Sequence, residues 1–361
     1  MRAIQIVREE GPDSALQLTD LPEPPSPPSH MLTPGRGLLI EVHAAGVSFP
    51  ELLQTRGQYQ LKPPLPFVPG SEVAGVVRVA PEDAPVKPGE RVMAFCALGG
   101  WAELAVAPET MTFPLSDQLD YAQGAGMILN YHTAYFALVI RARMQPGETV
   151  LVHGAAGGVG TAALQVARGL GAHTIAVVSD EAKERVAREA GAEHVLRADG
   201  LWKDEAREIA AGMGGAEAGG ASQGGSGAGS GAPGVDIVLD PVGGERFTDS
   251  LRSLREQGRV VVVGFTGGSI PEVKVNRLLL NNIEVVGAGW GAYAMSRPEV
   301  SRQIDGALRP LIESGHIRPI VGAHHQLEQA ADALRELDER RALGKVVLDM
   351  RPPGAQAESS G

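Results

Sequence analysis

The stretch Val150–Ala172, VLVHGAAGGVGTAALQVARGLGA, joins a β-like apolar run to a helix pattern through a glycine-dense turn. Gly157 and Gly160 take the second and third glycine positions of a dinucleotide-binding turn, and Ala155 stands at the first. The chemistry in question is anion binding. A backbone without Cβ atoms lets a pyrophosphate come close, and a helix start offers it unpaired N–H groups and the positive end of a dipole. Ala155, Ala156, Gly157, Gly158, Val159 and Gly160 are therefore candidate cofactor-binding residues. The alternative is a turn kept glycine-rich only for close helix-to-sheet packing. A strand before the turn, a helix pattern after it and a second strand, TIAVVS, beyond supply the context the motif demands.

Asp180 lies about 20 residues past the turn, where an acid can bond the adenine ribose hydroxyls of NAD. The second strand ends near Val178, so Asp180 suits equally well the N-cap of the helix that begins EAKERVA. Ser179 beside it and Lys183, one turn into that helix, are candidates for contact with a 2′-phosphate; Lys183 otherwise is a solvated helix lysine. His43, His132 and His153 are potential acid–base groups, but His43 and His153 fall inside strand patterns and read as packed residues. Cys96 is the only cysteine, so an intrachain disulfide and a cysteine metal cage are both excluded.

These residues must be positioned by a chain of 361 residues, roughly two domains in length. Hydrophobic residues make up 43% and charged residues 21%, the balance of a globular protein. A net charge of -11 without a basic run disfavours nucleic acid as a partner. No apolar stretch approaches the ~18 residues of a membrane helix, and the start, MRAIQIVREEGPDSALQL, lacks the apolar core of a signal peptide. The expectation is a cytoplasmic protein with no membrane partner.

The first third alternates short apolar runs (AIQIV, LLIEVHAAGV, EVAGVVRVA, WAELAVA) with proline-rich turns, which predicts β-strands. From about Met127 six strand-like runs, TVLVHGA, TIAVVS, HVLRA, VDIVLDPV, RVVVVGF and IEVVGAGW, alternate with helix-length segments. Their near-continuous apolarity predicts an open, doubly wound parallel sheet in an α/β fold. The expected division is 1–126, 127–290 and 291–361, the last returning to the first domain with strands RPIVGAH and KVVLDM. Residues 212–234, almost all Gly, Ala and Ser, read as an expanded surface loop, and the tail RPPGAQAESSG as frayed.

The stretches VHAAGVSFPELL, PPLPFVPGSEVAGVV, GGWAELAVAP, TAYFALV, QPGETVLVHGAAGGVG, DPVGG, VVVGF and GKVVL occur in one order across nearly the whole chain. In them the sequence resembles the medium-chain dehydrogenase/reductase superfamily, in its zinc-free quinone oxidoreductase branch, which includes zeta-crystallin. The resemblance implies a GroES-like β-barrel catalytic domain formed by both chain ends and a Rossmann domain inserted between them in sequence. It also implies NADPH as cofactor, a quinone or α,β-unsaturated carbonyl compound as small-molecule substrate, and a homodimer. Zinc-dependent relatives place a cysteine where Ser48 stands and a histidine where Ser71 stands. Serine hydroxyls supply neither the thiolate nor the imidazole that Zn²⁺ prefers, so no metal is expected.

By the same resemblance, Lys183 and Arg341 take the NADPH 2′-phosphate, while Ala198 replaces a tyrosine that some relatives use there, with Arg197 beside it. Tyr131 is expected near the nicotinamide with Thr133 beside it, while Gly264, Phe265 and Trp290 lie at the ends of the fifth and sixth strands, where open α/β sheets hold ligands. Packing at the domain boundary or sheet edge is the alternative for each. Ser48, where many relatives have asparagine, Glu51 and Tyr59 are the catalytic candidates. Tyr59 would hydrogen-bond an oxyanion that develops as hydride arrives. Ser48 or ordered water would share that task, and Glu51 would brace the site or face water. Reduction of an enone or enoyl thioester is the alternative reaction, with Tyr59 as proton donor; a non-catalytic NADPH-binding protein is a third reading.

Overall fold

The computed structural model describes residues 1–214 and 233–350. Their contacts divide the chain into two units, one of Met1–His132 with the segment from Gly291 onward, the other Thr133–Trp290. The first division thus lies a little beyond the Gly126/Met127 boundary expected from sequence.

Along the first unit run β1 (Arg2–Ile6), β2 (Leu16–Asp20), β3 (Leu38–Val47), β4 (Glu72–Val79), β5 (Arg91–Phe95), β6 (Leu104–Ala107) and β7 (Thr112–Pro114). The second unit follows with β8 (Thr149–His153), β9 (His173–Val178), β10 (His194–Arg197), β11 (Val235–Asp240), β12 (Leu254–Val262) and β13 (Glu284–Gly287). The chain then returns to the first unit with β14 (Val321–Gln326) and β15 (Lys345–Asp349).

In the second unit the six strands form one parallel sheet in the order β10-β9-β8-β11-β12-β13. Every residue of β8 and β11 is buried, which explains their uninterrupted apolar runs: helices cover both faces. Leu151, Ile175, Val177, Val238 and Val260 from the sheet pack with Trp202 and Phe247 from the helices. Strand order reverses between β8 and β11, and an open sheet opens a ligand crevice at the strand ends there. The helix Trp202–Gly214 takes in Gly212, Met213 and Gly214, which the sequence reading placed in a loop; Met213 reaches back to β8, its sulfur 3.8 Å from Thr149 Oγ1. Residues 215–232 of that expected loop, and the expected frayed tail 351–361, lie outside the described residues.

In the first unit the sheet runs β14-β15-β3-β4-β5-β7, with β6 also paired to β3. Ile40, Val42, Val73, Val92, Trp101, Val346 and Leu348 belong to its core. The antiparallel register sets Val346 against Val47 and Ala45 against Val73, so the starts of β15 and β4 and the end of β3 come together. Lys345, Ser48 and Glu72 stand at that junction.

Candidate functional site

The turn between β8 and the helix Gly158–Gly169 uses its glycines for different reasons. Gly154 has φ of 57°, a left-handed conformation that glycine adopts without strain. A Cβ on Gly160 would stand 2.2 Å from the Gly154 carbonyl oxygen, so this glycine lets the helix close onto the turn. A Cβ on Gly157 would meet only that same oxygen, at an ordinary 3.5 Å, and Gly157 has a common φ of -86°. The chain's own packing therefore does not require glycine at 157. The first-turn N–H groups of Gly158, Val159 and Gly160 have no intrahelical acceptor by the geometry of a helix start. Ala155 and Ala156 are buried beneath the turn.

The turn after β11 and the loop after β12 meet this one. Val242 lies 3.3 Å from the Cβ position of Gly154, Gly267 N–H donates to Val242 O at 2.8 Å, and Thr266 N–H donates to Pro241 O at 3.0 Å. Gly264 and Phe265 belong to that loop, with Phe265 partly exposed and against the Cβ position of Gly243. Asp240, at the tip of β11, accepts from Val242 and Gly243 N–H through Oδ1. Its buried Oδ2 has no partner among the described residues, and burial pushes the carboxyl up. Sequence reasoning did not single Asp240 out; its only signal is the DPVGG stretch in which it sits.

At the tip of β9 the sequence alternatives for Asp180 resolve in favour of the cap: Oδ1 accepts from Lys183 N–H at 2.9 Å. The Lys183 ammonium lies 2.7 Å from Ser179 Oγ and 3.1 Å from Asp180 Oδ2. The Lys183 N–H and side-chain groups, with Ser179, hold the Asp180 carboxyl at about 2. Ser179 Oγ also donates to Asp180 Oδ2 at 2.8 Å, so Ser179, Asp180 and Lys183 form one cluster beside the helix start. Arg197 pairs with Glu184.

In the first unit Ser48 caps the helix Phe49–Gln54, and Glu51 on that helix does not face water: it is 0% exposed. Glu51 Oε2 accepts from Ser48 N–H at 2.9 Å, while Oε1 accepts from Ser71 N–H at 2.9 Å and from Ser71 Oγ at 2.6 Å. Glu51 therefore ties the helix start to the turn before β4. Burial pushes its carboxyl up, against the Ser71 hydrogen bond and the Lys345 charge. Beside it the Lys345 ammonium donates to Ser48 Oγ at 2.6 Å and to Glu72 Oε1 at 2.5 Å, and Glu72 Oε2 accepts from Leu129 N–H at 2.8 Å. Lys345 and Glu72 escaped the sequence reading; a lysine opening an otherwise apolar strand was the available signal.

Tyr59 follows the same helix and is half-buried; burial, then the charge of Glu51, pushes its phenol up, so it keeps its proton. Tyr131 and Thr133 are buried, as is Trp290. Arg341 is exposed and bonds Glu339 Oε2 at 2.6 Å. His43 stacks on Tyr121, and His153 bonds Ser250 Oγ and meets the Trp202 ring edge-on, the packed roles expected of both. Burial pushes the imidazoles of His132 and His153 down to about 3.

The donor set around Ser48 does not suit Zn²⁺. Ser71 donates to Glu51, Ser48 accepts from an ammonium, and the Cys96 thiol is buried and pushed up to about 12. Among the described residues no group of three or more His, Cys, Asp or Glu could hold a metal ion, and no helix is long and apolar enough to cross a membrane.

Two family models match the chain, an alcohol dehydrogenase GroES-like domain over residues 34–117 and a zinc-binding dehydrogenase over residues 158–305. The chain is 35% identical to the quinone oxidoreductase-like protein 2 of Bos taurus, over 86% of this chain and 84% of that one. A probable oxidoreductase from Mycobacterium abscessus has the same fold at 40% identity, with a TM-score of 0.81 over 97% of this chain and 98% of that one. So does the quinone oxidoreductase of Thermus thermophilus, solved also in complex with NADPH, at 32% identity and a TM-score of 0.75 over 97% and 100%. The nucleotide-type turn on a Rossmann sheet, the GroES-like unit and these likenesses agree: the chain belongs to the quinone oxidoreductase-like family of the medium-chain dehydrogenase/reductase superfamily.

Proposed function

We propose that this protein is a zinc-independent, cytoplasmic NADPH:quinone oxidoreductase. The observation that carries this reading is the Ser48 hydroxyl, held by Lys345 where zinc-dependent relatives have a metal-binding thiolate. A site built of hydroxyl donors suits an acceptor that needs little beyond proximity and orientation. When bound, NADPH supplies a hydride from its nicotinamide to the quinone.

The chain's part is to bind, orient and donate hydrogen bonds. Gly157 leaves room for the pyrophosphate, and the N–H groups of Gly158, Val159 and Gly160 donate to it. Ser179 and Lys183 take the 2′-phosphate, with Arg341 assigned to the same group by family resemblance. Tyr131, with Thr133 beside it, is assigned to the nicotinamide end on the same ground, and Gly264, Phe265 and Trp290 to the cofactor from their place at strand ends. Ser48 Oγ and the protonated Tyr59 phenol donate to the quinone oxygen as negative charge develops there. Glu51 has both carboxylate oxygens engaged and acts by holding Ser48 and Ser71 in place.

The functional form in this reading is a homodimer. β13 ends the parallel sheet, and among the described residues no strand pairs with its outer edge. Next to it the helix Asn276–Asn281 exposes Leu279 and Leu280, each at 75%, a surface that a second copy would cover.

The test is turnover of NADPH with benzoquinone by chelator-treated protein of measured metal content. Full activity with substoichiometric zinc is expected. Loss on chelation with recovery on adding Zn²⁺ would overturn the reading.

A further inference from the structure

Lys345, Glu72 and Ser48 close the ends of β15, β4 and β3. Lys345 is 3% exposed and Glu72 1%, so both charges are held out of water. Such a pair is weak evidence of stability, because the desolvation of two ions offsets much of their attraction. The backbone is nevertheless shaped around it. A Cβ on Gly46 would stand 2.7 Å from Glu72 Cγ and Oε1, and one on Gly126 would stand 3.2 Å from Lys345 Cγ. Trp101 Nε1 donates to Gly46 O at 3.0 Å and pins the same stretch of β3.

The direction of the hydrogen bonds carries the argument. Glu72 is an acceptor on both oxygens, from Lys345 and from Leu129 N–H. Lys345 has only donors, so Ser48 Oγ is the acceptor in their contact. The hydroxyl's own hydrogen is then free to point away from Lys345, and no described residue is its acceptor in this structure. An oxygen that accepts from an ammonium in a low-dielectric surrounding is polarised, and its O–H becomes a stronger donor.

We infer that Lys345 is a positioning residue, one that orients and polarises the Ser48 hydroxyl so that it donates to the carbonyl oxygen of the acceptor. This inference rests on the reductase reading above. Glu72 fixes the ammonium, the ammonium fixes Ser48 Oγ, and the Ser48 hydrogen meets the charge that develops on the substrate. No proton leaves Lys345 in this scheme, so its effect belongs to the transition state rather than to cofactor binding.

The experiment is a double-mutant cycle between Ser48→Ala and the paired change Lys345→Met/Glu72→Gln, which removes both charges of the buried pair together and leaves Glu72 no unpaired charge. It reads kcat and KM for benzoquinone, NADPH affinity by fluorescence, and Tm. Ser48→Ala in the parent background is expected to lower kcat roughly ten- to a hundredfold with little change in KM, and the paired change to do the same with NADPH affinity kept. In the paired background Ser48→Ala is expected to cost almost nothing more. Losses that multiply, or a paired variant within twofold of the parent kcat, overturn the inference.

Should the paired variant fail to fold, Lys345→Arg keeps the charge but displaces the donor from Ser48. The same non-additivity with Ser48→Ala is expected there, and independent losses again overturn the proposal. A parent protein that prefers another acceptor displaces the quinone reading alone, and the cycle is then read with that acceptor. A parent that oxidises NADPH with no quinone, enone or thioester overturns both.

Discussion

A methyl group on Gly160 would come within 2.2 Å of the Gly154 carbonyl oxygen, whereas the same group on Gly157 would find that oxygen at 3.5 Å. The two glycines of the turn therefore serve different masters. Gly160→Ala is expected to destabilise the fold by about 1–3 kcal/mol, the usual range for overpacking, with a fall in Tm. Gly157→Ala is expected to leave Tm near the parent value and to weaken NADPH binding roughly tenfold, read by fluorescence titration. Unchanged affinity in Gly157→Ala would remove the pyrophosphate from this turn.

Lys183 gives the second prediction. If the ammonium beside Ser179 takes the 2′-phosphate as proposed, Lys183→Ala is expected to raise KM for NADPH roughly tenfold and to leave KM for NADH nearly unchanged. Equal effects on both cofactors would sink that assignment. Arg341→Ala is compared in the same assay.

Tyr59 is tested by Tyr59→Phe. With its phenol kept protonated by burial, the hydroxyl is a donor over the whole working pH range. A clear loss of kcat with 2-alkenones and a smaller one with benzoquinone are expected; unchanged rates with both would remove Tyr59 from the mechanism.

Acid stability follows from two buried imidazoles. Unfolded histidine binds a proton below about pH 6.5. Folded His132 and His153 bind one only near pH 3, because burial depresses both. The unfolded state therefore holds more protons across that window, and stability falls as pH drops from about 6.5 toward 3, by at most about 1.4 kcal/mol per pH unit for each histidine. His153→Gln is expected to flatten the dependence of unfolding free energy on pH in urea titrations. A slope equal to the parent's would contradict this account of His153.

The proposed homodimer is checked by sedimentation: the parent is expected to sediment as a dimer and Leu279→Glu with Leu280→Glu as a folded monomer. A dimer that survives both changes would place the interface elsewhere.

The sequence made the parallel sheet legible because β8 to β13 are short apolar runs bounded by glycine and turn residues, and doubly covered strands need little else. The glycine turn between β8 and the helix after it was legible for a similar local reason. Asp180 was ambiguous, since a carboxylate just past a strand serves a ribose or a helix cap equally well, and the cap shows only in the fold, where Oδ1 meets Lys183 N–H. Glu51 was assigned either to bracing or to solvent, and its burial decides for bracing. The Ser48–Lys345 contact joins residues 297 positions apart, beyond the reach of any local spacing rule. Gly212 to Gly214 read as loop from composition, yet the helix before them runs on through Gly214.

The central claim is tested most directly by initial rates of NADPH oxidation with benzoquinone, a 2-alkenone and a crotonyl thioester side by side. Fast turnover of the quinone with little of the other two is the predicted result. A preference for the alkenone or the thioester would contradict it, leaving the fold and the nucleotide turn in place while moving the chemistry to carbon–carbon double bonds.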